Sequence, residues 1–163
     1  MKKILITGQN SYIGTHVKNW LDNEKYDVRE LDVKTDEWRK ENFSEYEVIL
    51  HVAGIAHVST NKKLEDLYYK VNRDLAVEVA KKAKQEKVKQ FIFMSSMIIY
   101  GDDTILGQRK LIDKDTVPQP KNFYGNSKLE AEKEIKKLEN EDFKTTISRR
   151  PSGLRKTTMG TNS

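Results

Sequence analysis

The chain has no cysteine. That absence removes a disulfide framework, a thiolate metal site and a cysteine nucleophile together. Its histidines, His16, His51 and His57, lack the spacing of a metal-ligand set. No apolar run approaches the roughly 18 residues that a membrane-spanning helix needs. The opening Met1-Lys2-Lys3 leads directly into a strand pattern rather than into a signal peptide, so the sequence reads as cytoplasmic. The net charge of +5 raises the question of nucleic acid. The lysines alternate with glutamates in helical stretches such as 81–87 and 130–137, with no aromatic interleaved, and this reads as a solvated face with no nucleic-acid partner. A nucleic-acid-binding role rests on the charge alone and would require salt-dependent RNA binding.

What the chain does have is an alternation of two periodicities. At 163 residues, 36% apolar and 34% charged, it suits one soluble domain with a real core. Lys3 to Thr7 is a compact β-rich run, and Gly14 to Asn23 carries a helical stripe at Val17, Trp20 and Leu21. Strands are expected at about 26–31, at 47–52 and at 88–94, the last almost continuously apolar, as in a strand buried on both faces of a parallel sheet. Between the last two lies a long helical pattern with Val71, Leu75, Val79 and Ala83 on one stripe. After Pro118 and Pro120, a helix is expected over about 123–138 and a final strand over about 145–148. Strands alternating with helices predict an α/β fold, a doubly wound parallel sheet of Rossmann type. No repeat and no linker interrupt it. The pattern fails beyond Arg149, so residues 1–149 read as one dinucleotide-binding domain and 150–163 as an irregular tail.

Four groups of residues carry the chemistry. Thr7-Gly8-Gln9-Asn10-Ser11-Tyr12-Ile13-Gly14 joins a first strand to a first helix, where a glycine turn lets the backbone approach a pyrophosphate seated on the helix N-terminus. Asp32, eighteen residues beyond Gly14, ends the second strand, where a carboxylate accepts hydrogen bonds from the adenosine ribose and repels a 2′-phosphate. NAD is therefore expected over NADP, with Arg29 and Lys34 close enough to soften the choice. Ala53 and Gly54 follow another strand, and small residues there admit a cofactor to the backbone. His51 and His57 read as packing or surface residues. Tyr124 and Lys128 stand at i, i+4 on one helix face, an ammonium placed to favour loss of the phenol proton, and Ser95 and Ser96 close the preceding strand. Tyrosine, lysine and a serine hydroxyl together suit hydride transfer at a sugar or alcohol carbon.

In this order the motifs resemble the extended short-chain dehydrogenase/reductases, in particular their nucleotide-sugar epimerases and reductases. The matching stretches are Ile4-Leu5-Ile6-Thr7-Gly8 through Gly14, Asp32, His51-Val52-Ala53-Gly54, Val71-Asn72, 91–101 and 124–132, so the similarity covers Met1 to about Ser148. The resemblance implies Tyr124 as acid/base, Lys128 as the group that lowers its pKa and binds the nicotinamide ribose, and Ser96 as hydrogen-bond partner of the reacting sugar oxygen. It implies Gly8, Ser11, Tyr12, Ile13 and Gly14 along the pyrophosphate, Asp32 at the adenosine ribose, and Ala53 and Gly54 at the cofactor's inner edge. Asn72 supports the active site, and Ser95 looks structural. Ser11 stands where such turns usually have a second glycine, and its β-carbon takes room at the closest backbone approach. Met97-Ile98-Ile99 lacks the Thr-Asp-Glu group of the family's 4,6-dehydratases, leaving epimerase or 4-reductase chemistry.

The resemblance further implies NAD as cofactor and a nucleotide-linked sugar, a UDP-sugar, as substrate, as in polysaccharide biosynthesis. It leaves open a homodimer through the Tyr/Lys helix and the long helix before it. The family's C-terminal substrate region is expected to be missing. An Arg-Pro-x-x-Val-Tyr-Gly segment is expected after the last strand, whereas Arg150-Pro151-Ser152-Gly153-Leu154-Arg155-Lys156 stands here; one choice of codons restores Val-Tyr-Gly in a shifted frame, so the tail reads as aberrant. Two classes stay open at this stage: an oxidoreductase or epimerase half, and a NAD-binding domain without turnover.

Overall fold

The computed structural model describes residues 1–21, 23–57, 59–101 and 111–151. Five strands form one sheet: β1 (Lys2–Thr7), β2 (Tyr26–Leu31), β3 (Val48–His51), β4 (Gln90–Ser96) and β5 (Lys144–Arg150), in the order β2-β1-β3-β4-β5. Every pairing is parallel. The chain steps outward one way from β1 to β2 and the other way from β1 through β3, β4 and β5. The carboxyl ends of β1 and β3 therefore flank the switch point, where open parallel sheets bind their ligands.

The helices follow the sequence pattern with two informative departures. α1 runs Tyr12–Trp20, earlier than the stripe suggested, because the Ser11 side chain caps it by accepting from Gly14 N. The long helix expected after β3 is three consecutive pieces: α2 (Glu65–Tyr68), a π-helical segment (Tyr69–Leu75) and α3 (Ala76–Gln85). α4 (Phe123–Lys137) is capped by Asn122, whose side chain accepts from Gly125 N at 2.8 Å.

The main core lies between the sheet and α3 and α4, where Phe91, Phe93 and Ile49 meet Val79, Ala80, Ala83, Ala131 and Ile135. Alanines at 76, 80 and 83 let α3 lie close to the strands. Trp38 and Phe43, in short 3₁₀ turns after β2, close one end of this core. β5 extends through Arg150, so the sheet reaches one residue into the stretch read as tail. The rest of the tail, 152–163, lies outside the described residues.

Candidate active site

The glycine turn is shaped by close approach. Gly8 has φ of 123°, and a β-carbon there would come within 2.8 Å of Ala53 N and 2.9 Å of Val52 Cγ2. The N–H groups of Gly8 and Gln9 both donate to Leu31 O, at 2.9 and 3.2 Å, so the turn is tied to the end of β2 while it presses on the exit of β3. Ser11 has a definite role: its Oγ accepts from Gly14 N at 3.0 Å. That hydroxyl takes for itself one of the amides that an anion would otherwise find, and leaves the other N–H groups of the first turn, Tyr12 and Ile13 among them, without an intrahelical acceptor. The Tyr12 ring is exposed and lies 4.1 Å, centroid to centroid, from that of His16.

Beside this turn opens a cleft of about 1300 Å³, lined among others by Gly8, Ser11, Asp32, Val33, Ala53 and Gly54. Asp32 is exposed, and its Oδ1 accepts from Lys34 N at 2.9 Å, which fixes the orientation of the carboxylate. Val33 beneath it is buried. A narrow backbone approach, free amides at a helix start and a fixed carboxylate beyond β2 are the features a dinucleotide needs, so the residues present fit NAD.

The second half of the site is built on α4. Gly125 lets this helix start against the preceding loop: a β-carbon there would lie 2.8 Å from Pro120 Cβ and 3.1 Å from Ile98 O. Tyr124 and Lys128, one turn apart, are both buried. The Tyr124 ring meets Tyr68 edge-on at 6.2 Å, and Tyr68 in turn meets Phe123 at 4.8 Å. Lys128 Nζ donates to Met94 O at 3.1 Å and lies 4.8 Å from the centroid of the Phe93 ring. Burial lowers its pKa to about 8.

Ser96 ends β4 and caps the following turn, Oγ accepting from Ile98 N at 3.3 Å, which leaves its hydroxyl proton for another partner. Ser95 is buried, and its Oγ has no hydrogen-bond partner among the described residues. Asn72, in the π segment, is fully buried; its side chain accepts from Ile55 N at 2.8 Å and donates to Ile55 O at 3.1 Å and to Ser127 Oγ at 3.3 Å. Asn72 thus holds the chain leaving β3 against α4. Gly54 sits between the two halves: a β-carbon there would be 2.9 Å from both Asn72 Oδ1 and Lys128 Nζ. His51 is a core residue, bonded through Nδ1 to Thr7 Oγ1 at 2.7 Å and flanked by Phe91 and Phe93. Burial first, and then the Lys128 charge, push its pKa down to about 3, so it is a neutral ring.

The sequence pattern did not bring Glu132, Arg149 and Tyr100 into the site. Arg149 donates to both oxygens of Glu132, from Nε at 3.1 and 3.2 Å and from Nη2 at 2.8 Å, and from Nη1 to the Tyr100 hydroxyl at 2.7 Å. Glu132 stands at i+4 from Lys128, a signal present in the sequence, but only the β4–β5 register, with Ser95 beside Arg149 and Ser96 beside Arg150, reveals its partner.

The family model for NAD dependent epimerases/dehydratases matches residues 4–153. A UDP-glucose 4-epimerase of Vibrio cholerae is 31% identical over 173 residues, covering 93% of this chain and 51% of that protein. Among solved structures, dTDP-4-dehydrorhamnose reductase from Bacillus anthracis, in complex with NADP, superposes with a TM-score of 0.74 at 29% identity, over 93% of this chain and 54% of that one. UDP-glucuronic acid 4-epimerase from Bacillus cereus, in complex with NAD, gives 0.73 at 22% identity, over 91% of this chain and 56% of that one, a likeness of fold. The chain spans about half the length of these proteins.

Proposed function

The chain belongs to the NAD-dependent epimerase/dehydratase family, and from that premise we propose that it is the cofactor-binding and catalytic half of an epimerase or 4-reductase acting on a nucleotide-linked sugar, a UDP-sugar. The observation that carries this reading is Gly54, which lines the glycine cleft while a β-carbon on it would lie 2.9 Å from Lys128 Nζ, so that the cleft abuts the helix that holds the buried Tyr124 and Lys128. NAD, when bound, supplies the acceptor and donor of hydride. The chain's residues do the rest. Tyr12 and Ile13 amides and the glycine turn hold the pyrophosphate, and Asp32 takes the adenosine ribose. Ala53 and Gly54 admit the cofactor's inner edge, while Lys128 brings positive charge to the nicotinamide ribose and to Tyr124. Ser96 donates to the reacting sugar oxygen, and Tyr124 takes or returns its proton.

Asp32 argues for NAD rather than NADP in this chain, since its fixed carboxylate repels a 2′-phosphate. The test is the thermal midpoint of the 163-residue chain against each dinucleotide, followed by turnover with UDP-glucose as probe. A saturable rise with NAD alone supports the reading; no rise with either cofactor refutes it. One observation favours a second reading, NAD binding without turnover: Gly8, Ser11, Asp32, Ala53 and Gly54 line the cleft, whereas Ser96, Tyr124 and Lys128 do not. Binding of NAD with no interconversion of any UDP-hexose would select it. A homodimer through α3 and α4 and a cytoplasmic location belong to the same proposal, and a monodisperse monomer in sedimentation would remove the first. No helix among the described residues is long and apolar enough to cross a membrane.

A further inference from the structure

Lys128 is a cation in a dry place, and burial favours its neutral form. A neutral Lys128 would bring no charge to Tyr124. One turn along α4 stands Glu132, whose side chain is only 5% exposed. Three N–H···O contacts from Arg149 hold it, and Arg149 is itself braced by the Tyr100 hydroxyl on the turn that follows Ser96. Parallel charge-assisted bonds of this kind fix the carboxylate in place. The i, i+4 spacing fixes it on the same helix face as Lys128.

The groups around Lys128 come from every packed element. α4 contributes Tyr124 and Glu132; β4 contributes the Phe93 ring and the Met94 carbonyl; the π segment contributes the neutral Asn72 amide. His51 on β3 is uncharged. β5 contributes Arg150, the register partner of Ser96, for whose side chain no ion pair or hydrogen bond is found among the described residues. The charges that reach Lys128 are therefore opposed. Glu132 favours the ammonium, and Arg150 disfavours it.

We propose that Glu132, clamped by Arg149 and Tyr100, is a positioning residue that keeps the Lys128 ammonium charged, with Arg150 working against it, so that this pair of opposed charges sets the pH window in which the Tyr124 site is competent. The proposal rests on the reading of Tyr124 and Lys128 as the reacting pair. Its direct content, the charge on Lys128, is measurable without cofactor or turnover.

The experiment is an NMR titration of the 163-residue chain carrying 15Nζ-labelled lysine, with the Lys128 signal assigned by its loss in Lys128→Met. Glu132→Gln is expected to lower the Lys128 midpoint by about one pH unit or more. Arg150→Gln is expected to raise it. A purely structural ion pair would lower thermal stability in Glu132→Gln and leave the Lys128 midpoint where it was. An unmoved midpoint in that variant, or shifts of the same sign in both, overturns the proposal. Should Glu132→Gln fail to fold, Arg150→Gln at the sheet edge still decides, because a midpoint that does not rise refutes the opposition. A chain that binds no NAD would refute the proposed function and leave these shifts standing, so the two failures are distinguishable.

Discussion

Replacing Gly54 by alanine separates the chemistry of this site from its stability. Gly54 is not in the left-handed backbone region, so alanine restricts the unfolded chain and by itself stabilises by about 0.4–1 kcal/mol. The new methyl group must then displace something, since Asn72 Oδ1 and Lys128 Nζ each lie 2.9 Å from its position. Asn72 is held by two bonds to the Ile55 backbone and one to Ser127. Lys128 is the far end of a flexible stem with a single hydrogen bond, to Met94 O. The lysine gives way. Losing a charged hydrogen bond costs about 1.5–3 kcal/mol, so the net destabilisation is on the order of 1–2 kcal/mol. For a chain of this length that lowers Tm by roughly 2–8 °C. Binding should suffer far more, because the ammonium leaves the position it holds between Gly54, Phe93 and Met94. The assay pairs a urea melt, read by the buried Trp38, with a NAD titration by calorimetry. A Gly54→Ala protein that binds NAD like the parent would refute the packing argument, as would one that loses more than about 4 kcal/mol of stability.

Gly8→Ala should do the reverse, since its methyl group meets backbone at Ala53 on top of a φ of 123°; a loss of about 2–5 kcal/mol is expected in the same melts. Ser11→Gly should cost only a few tenths of a kcal/mol as a cap while freeing the Gly14 amide, so calorimetry should show NAD bound several-fold more tightly. Lys128→Met should stabilise the fold near neutrality. The folded pKa of about 8 lies below the ordinary 10.5, so the buried charge is a burden below pH 8 that fades between 8 and 10.5; urea melts should show a gain on the order of 2–3 kcal/mol at pH 7 that disappears by pH 10.5. His51 has a folded pKa of about 3 against 6.5, so the unfolded chain binds the extra proton between those values. Stability should fall by about 1.4 kcal/mol per pH unit below 6.5, and His51→Leu should flatten that slope.

β1, β3 and β4 were legible because their apolar runs end buried or half-buried in a parallel sheet, which leaves little for competing signals, while the edge strand β2 shows an alternating pattern instead. β2 falls at Tyr26–Leu31 as read, and the final helix matches to within a residue. The boundaries that moved did so through side-chain partners that the periodicity does not carry. Ser11 starts α1 early by accepting a bond three residues ahead, and β5 reaches Arg150 because Arg149 finds Glu132 across the fold. For the site, the spacing of Tyr124 and Lys128 and the glycine turn needed no tertiary knowledge. The brace of Asn72 on Ile55, the buried hydroxyl of Ser95 and the fork on Glu132 depend on which strands lie side by side, and no single stretch of sequence carries that. The stripe of Val71, Leu75, Val79 and Ala83 misleads in an instructive way: Val71 and Leu75 are only partly buried, and the face that packs on the sheet is Ala76, Val79, Ala80 and Ala83.

The π segment at Tyr69–Leu75 accounts for that slip. A wider turn absorbs about one extra residue, and in an α-helix one residue is worth about 100° of rotation. The segment therefore acts as a phase shifter between two surfaces read by one continuous rod. Within it the rod is set so that Asn72 enters the site; downstream it is reset so that the alanines of α3 meet the strands. A regular helix of the same length could satisfy one of these demands and would miss the other by a third of a turn. The candidate cleft and the hydrophobic core are thus kept in register by a single irregularity, and its place along the rod is as much a part of the site as any side chain in it.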